Sequence, residues 1–122
     1  MADVESYRDL KVWKLGFRIS LSVYDLTAEY PKTEQFGLTS QMRRCAVSLP
    51  SNIAEGHARE STRDFLRHLS IASGSLAELE TQLLISRELR YVSADQLAEI
   101  MEQCEKESRM LGGLRRSLQK RL

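Results

Sequence analysis

The sequence predicts an all-α protein, an antiparallel up-down-up-down four-helix bundle forming a single domain over residues 1–122. Three observations predict it. Four long segments repeat apolar residues at the three- and four-residue spacing of one helix face, and no stretch alternates like a strand. The chain holds 6 Gly and 2 Pro, too few for the many tight turns of an all-β fold. Its 122 residues, 42% of them hydrophobic, suffice to bury a core without disulfide or metal staples. The segments fall at about residues 9–29, 37–55, 61–90 and 94–118. They would be roughly 27–42 Å long at the helical rise, and short connections make consecutive helices antiparallel.

The first segment carries two apolar stripes. Leu10, Trp13, Phe17, Leu21 and Tyr24 share one face, and Val12, Leu15, Ile19, Val23 and Leu26 share nearly the opposite one. Pro31 ends the helix, because the residue before a proline disfavours the α region. A bundle helix needs one apolar stripe. The Val12, Leu15, Ile19, Val23, Leu26 face is therefore read as a subunit interface, the other reading being a helix embedded between neighbours.

The second segment turns Met42, Cys45, Ala46, Leu49 and Ile53 to the core and holds Pro50 in its interior, where a kink is expected. Gly56 suits a left-handed C-terminal cap. The third opens on Ser61 with Asp64 in its first turn, runs Phe65, Leu69, Ala72, Leu76, Leu79 and Leu83 along a bundle seam, and ends near Arg90. Gly74 and Ser75 interrupt it, and their small size would admit a close helix approach. The fourth opens on a capping box, Ser93 with Gln96, and carries Leu97, Met101, Cys104, Ser108, Leu111 and Leu118 through the flexible pair Gly112 and Gly113.

Little in this pattern carries catalytic chemistry. Cys45 and Cys104 sit in apolar-periodic segments, as free buried cysteines do. There is no CxxC, HExxH, GxSxG or phosphate-cradling Gly loop, and no Glu-x-x-His pair of the kind a di-iron bundle needs. His57, in the loop after Gly56, and His68, beside the third seam, are read as surface or helix-flank residues. No catalytic residue, metal or cofactor is expected. The start MADVESYRDL lacks the layout of a signal peptide and no run is long enough to span a membrane, so a cytoplasmic location without membrane contact is expected.

Two polar features stand out. Gln41, Arg44, Ser48, Asn52 and Glu55 form one stripe of the second segment, and Ser75 and Glu78 are candidate partners across the seam, giving a structural hydrogen-bond network or a ligand site. Basic residues cluster as Arg43 with Arg44, as Arg59, Arg63 and Arg67 at four-residue spacing, and as Arg115, Arg116, Lys120 and Arg121 at the end of the chain. Phosphate binding needs several cations within reach of one backbone. The formal net charge is only +1, so any nucleic-acid contact must come from local patches.

The runs YRDLKVWKLGFRISLSVYDLT, YPKTEQFGLTSQMRRCAVSLPSNIAEG and STRDFLRHLSIASGSLAELETQLLI resemble the four helix bundle family. It is also called the 23S ribosomal RNA intervening-sequence protein or S23 ribosomal protein family. The likeness is dense over about residues 7–92, and SLPSNIAEG followed by GSLAELETQL carries it most specifically. It implies a cytoplasmic up-down bundle without enzymatic activity, assembled as a homopentameric ring. It also implies RNA or other nucleic-acid binding through a basic surface, as in relatives that include the accessory protein of diversity-generating retroelements. Two functions are therefore expected from the sequence: a nucleic-acid-binding oligomer, or a structural scaffold that meets an unidentified protein partner.

Overall fold

A computed structural model describes residues 6–122. Four helices follow in order: α1 (Lys11–Thr27), α2 (Leu38–Ala58), α3 (Thr62–Glu88) and α4 (Ala94–Gln119). Single 3-10 turns at Tyr7–Asp9 and Lys32–Glu34 precede α1 and α2, and the described residues hold no strand. Side-chain caps start α3 and α4. Ser61 Oγ accepts from the Asp64 amide at 3.0 Å, and Ser93 and Gln96 form the expected reciprocal box. Arg90, at φ 64°, breaks the chain out of α3 in a left-handed turn. No glycine has this conformation, so Gly56 is not a cap; α2 runs on through it to Ala58, and His57 lies inside the helix.

Cross-helix pairs fix the topology. Along α2 and α3, Asn52 meets His68, Ser48 meets Ser75, and Met42 meets Ser86. Along α1 and α2, Ser20 meets Ala46 and Thr27 meets Arg43. Arg115 on α4 reaches Ser70 on α3, while Glu107 lies beside Gly16 on α1. In the first two sets one residue number rises as its partner's falls, so these neighbours are antiparallel. The α3–α4 connection of five residues turns the chain back in the same way. Among the described residues no helix is long and apolar enough to cross a membrane.

The core takes the expected face of α2 and of α3, with Phe65 only partly covered. The α1 expectation is reversed. Val12, Ile19 and Val23 are buried in the protomer's own core, with Leu15 and Leu26 packed at its margin, so this stripe is no free interface. The uncovered stripe is the other one, with Phe17 46%, Leu21 54% and Tyr24 43% exposed. Steric fit explains the choice. Gly16 and Ser20 lie beside the Val12–Val23 row and let α1 come close to its neighbours, as the Trp13 and Phe17 face cannot. Gly74, by contrast, faces open space and admits no helix.

Pro50 sits in an unbroken α2. Proline has no N–H for the carbonyl four residues back, that of Ala46. Ser20 Oγ on α1 donates to this carbonyl at 2.6 Å, so the orphan acceptor becomes the fastening between α1 and α2.

On α4 one core position carries a carboxyl group. On α4 the inward residue after Cys104 is Glu107, where the seam predicted Ser108, which is exposed. Glu107 is 0% exposed and neither carboxylate oxygen has a hydrogen-bond partner among the described residues. Burial pushes its pKa from the ordinary 4.5 up to about 8. At neutral pH the native protein holds this proton and the unfolded chain does not. Stability is thus greatest below pH 4.5 for this group, falls by at most about 1.4 kcal/mol per unit as pH rises towards 8, and levels off above it. Glu107→Gln should remove that slope and raise the urea midpoint at pH 7.5. Parallel pH profiles for variant and wild type would show that the carboxyl is solvated.

Candidate functional site

Between α2 and α3, Asn52 and Ser48 of the expected polar stripe join His68 and Ser75 in a chain of hydrogen bonds, in which Gln41 and Arg44 take no part. Arg67 lies 3.3 Å from His68 Nε2, and His68 Nδ1 lies 3.1 Å from Asn52 Oδ1. Arginine only donates and an amide oxygen only accepts, so the partners put the His68 proton on Nδ1. Asn52 Nδ2 then donates to Ser48 Oγ at 2.9 Å, and the Ser48 and Ser75 hydroxyls share a hydrogen bond at 2.9 Å. Glu55 Oε2 stands 3.6 Å from His68 Nδ1 and also receives Arg59 at its other oxygen.

His68, read from the sequence as a surface or helix-flank residue beside the seam, is buried. Its place depends on Gly56: a Cβ there would lie 2.7 Å from His68 Cβ and 3.0 Å from the Phe65 ring. The signal in the sequence was the glycine itself, in a helix interior where it costs about 1 kcal/mol without a packing reason.

Farther along the seam, Gln41, Arg44, Ser48, Ser75 and Glu78 line one groove with Cys45 and Gln82. The Cys45 thiol donates to Glu78. Burial, together with that carboxylate, pushes its pKa up to about 12; burial does the same to Cys104. Both thiols stay protonated at neutral pH, which removes them as nucleophiles.

The antiparallel register sorts the charges. Residues 8–18, 49–74 and 106–122 form one end of the bundle and carry 13 basic against 5 acidic groups. Residues 19–48 and 75–105 form the other, with 5 basic against 10 acidic. The near-neutral total thus conceals a strongly polarised molecule. Arg59, Arg63, Arg67, Arg115, Arg116, Lys120 and Arg121 all fall on the basic end, where Arg115 donates to Ser70 at 3.2 Å. Arg43 and Arg44 do not. Arg43 donates to Thr27 Oγ1 at 2.9 Å and lies over the Tyr24 ring, while Arg44 opens into the α2–α3 groove.

The structure brings together further cations that lie outside the sequence clusters. Lys11, Lys14 and Arg18 on α1 join Lys106 on α4 around a cleft of about 380 Å³, floored by Leu15 and Met110. Their spacing of three and four was visible, but only the pairing of α1 with α4 brings Lys106 to them. On the α1–α2 side, Tyr7, Trp13, Phe17, Leu21, Tyr24 and Val47 line an apolar cleft of about 390 Å³.

The fold and these surfaces define a small helical-bundle protein with a basic end, a polar seam and an uncovered aromatic face. It belongs to the 23S rRNA-intervening sequence protein family, whose model matches residues 8–113. A solved structure with the same fold is a protein of unknown function from the S23 ribosomal protein family of Bacteroides thetaiotaomicron VPI-5482. It is 20% identical, with a TM-score of 0.79 over 86% of this chain and 95% of that one. No curated protein is similar enough in sequence to be matched.

Asn52 ties His68 on α3 to Ser48 on α2. Asn52→Leu should strand the buried His68 N–H, at about 1–3 kcal/mol for a buried group left unpaired. Urea denaturation reads this directly. A midpoint equal to wild type would mean that the seam is held by apolar packing alone.

Proposed function

We propose that this chain is a non-enzymatic bundle protein that binds RNA, or another nucleic acid, through its basic end. The concentration of 13 of the 18 basic residues on that end is the observation that carries the reading. A phosphate backbone is recognised by closely set cations that displace its counterions, whatever the net charge elsewhere. The cleft edged by Lys11, Lys14, Arg18 and Lys106 offers such a set, with Arg59, Arg63 and Arg67 at the adjoining hairpin. The family's description, which ties it to sequences intervening in 23S rRNA, supports the same polymer. The Cys45 and Cys104 thiols, both held protonated by burial, support a role without catalysis.

Titration of a short single-stranded RNA at several salt concentrations tests this. Four neutralised phosphates predict a log–log slope of about −3. Lys11→Gln with Lys14→Gln should weaken binding and make the slope shallower by about 1 for each cation that contacts a phosphate, whereas Arg43→Gln should leave it unchanged. Affinity independent of salt would contradict the proposal.

Self-association belongs to the same proposal, with a scaffold for a protein partner as the alternative reading. The observation favouring it is the uncovered face of Phe17, Leu21, Tyr24 and Val47. Contiguous apolar patches of this kind are uncommon on monomers. Ile71, Leu84 and Ile85 on α3 are exposed as well, so a second copy's aromatic face has further aliphatic side chains to meet. Contact between unlike faces generates closed rings or filaments. Phe17→Glu with Leu21→Glu should yield a folded monomer by light scattering. A wild-type protein that is monomeric at micromolar concentration would refute self-association and leave the partner reading.

A further inference from the structure

At the start of α1 two rows of side chains run side by side. One is aromatic. Tyr7 meets Trp13 edge-on with ring centroids 5.3 Å apart, and Trp13 stacks on Phe17 at 5.1 Å with 26° between the planes. The other is basic. Lys11, Lys14 and Arg18 are all exposed and edge the cleft towards α4. Lys14 stands three residues before Phe17 and four before Arg18, and residues at these spacings are neighbours on a helix surface. Arg8 adds a further cation, 5.6 Å from the centroid of the Tyr7 ring. Phe17 remains 46% exposed although Trp13 stacks on it. The cleft that these rings line with Pro50, Ser51 and Ala54 of α2 holds about 390 Å³, and no acidic residue lines it among the described residues.

Aliphatic side chains would suit a purely apolar contact equally well. Rings add a preference for another planar ring, set offset or edge-on against them. A nucleotide carries its planar base and its phosphate on either side of one sugar. An aromatic row beside a row of cations is complementary to that layout, and single strands are held in this way without regard to sequence. We propose that Tyr7, Trp13 and Phe17 form a stacking platform for the unpaired bases of a single-stranded nucleic acid whose phosphates lie on Lys11, Lys14 and Arg18. This rests on phosphate binding at the basic end and adds the form of the polymer. A duplex hides its base faces and can use the cations alone. Leu21, Tyr24 and Val47, farther along the same face, are left for a second copy of the chain.

Trp13 is the only tryptophan in the chain, so its fluorescence reports the platform. The protein is titrated at low salt with a short oligoadenylate, with the same strand annealed to its complement, and with inorganic polyphosphate, which has the charge without the bases. Calorimetry reads binding and Trp13 emission reads stacking. The single strand should bind and quench Trp13, and the duplex and polyphosphate should bind without quenching. Phe17→Leu keeps the apolar surface that a second copy would cover but removes the ring. It should weaken the single strand about fivefold or more, with the salt slope and polyphosphate binding as in wild type. Phe17→Tyr should restore the affinity. If all three polyanions bind while Trp13 emission stays constant and Phe17→Leu matches wild type, the platform is overturned and the basic end keeps its role. If none binds, both readings fall. Equal losses for RNA and polyphosphate in Phe17→Leu would show that the ring acts through the fold and would also overturn the proposal. So would Trp13 emission that follows protein concentration and ignores RNA, which would give these rings to a second copy.

Discussion

The register between α2 and α3 is the constraint on which the other features rest. It is set where Gly56 allows the two helices to approach until a single added methyl would strike His68. From that contact the relay through His68, Asn52, Ser48 and Ser75 continues along the seam, each link needing its partner at the right height. Slipping α3 by one turn would break the whole chain of bonds at once and bury unpaired polar groups, which costs more than a slip in a purely apolar seam. The same register places Arg59, Arg63 and Arg67 at the end to which α1 brings Lys11 and Lys14 and to which α4 brings Arg115. Local packing thus determines the electrostatic shape of the molecule.

The bundle's other two fastenings use polar groups in unusual roles. Pro50 would ordinarily weaken a helix, but the carbonyl it frees is the one Ser20 takes, so the defect in α2 orients α1. Glu107 sits against Gly16, where a Cβ would be 2.8 Å from its Oε2, and has no partner for either oxygen. Its carboxyl is carried into the core protonated, which ties the α1–α4 contact to pH.

The secondary structure was legible because its signals are local. Ser61 and Ser93 cap where their spacing to Asp64 and Gln96 indicated, and the inward residues of α2 are those its periodicity singled out. The seam partners Ser75 and Glu78 were legible too, since antiparallel pairing at Ser48 brings them opposite. The orientation of α1 was not. Its two stripes carry five large apolar side chains each, so hydrophobicity alone cannot rank them; the small residues Gly16 and Ser20 beside one stripe were the signal. Glu107 was hidden because an acid in a helical run normally marks the wet face. The charge asymmetry was hidden for a different reason. Net charge sums over residues that only the topology separates, so Lys106 and Lys14 share a cleft while lying 92 positions apart.

The central claim is that a near-neutral chain folds into a bundle with one phosphate-binding end. Mapping backbone amide shifts on adding a short single-stranded RNA at low salt tests it most directly. The account predicts perturbations in residues 8–18, 59–67 and 106–121, with residues 87–102 at the opposite, acidic end unmoved. Perturbations centred on the acidic end, or none at saturating RNA, would contradict it.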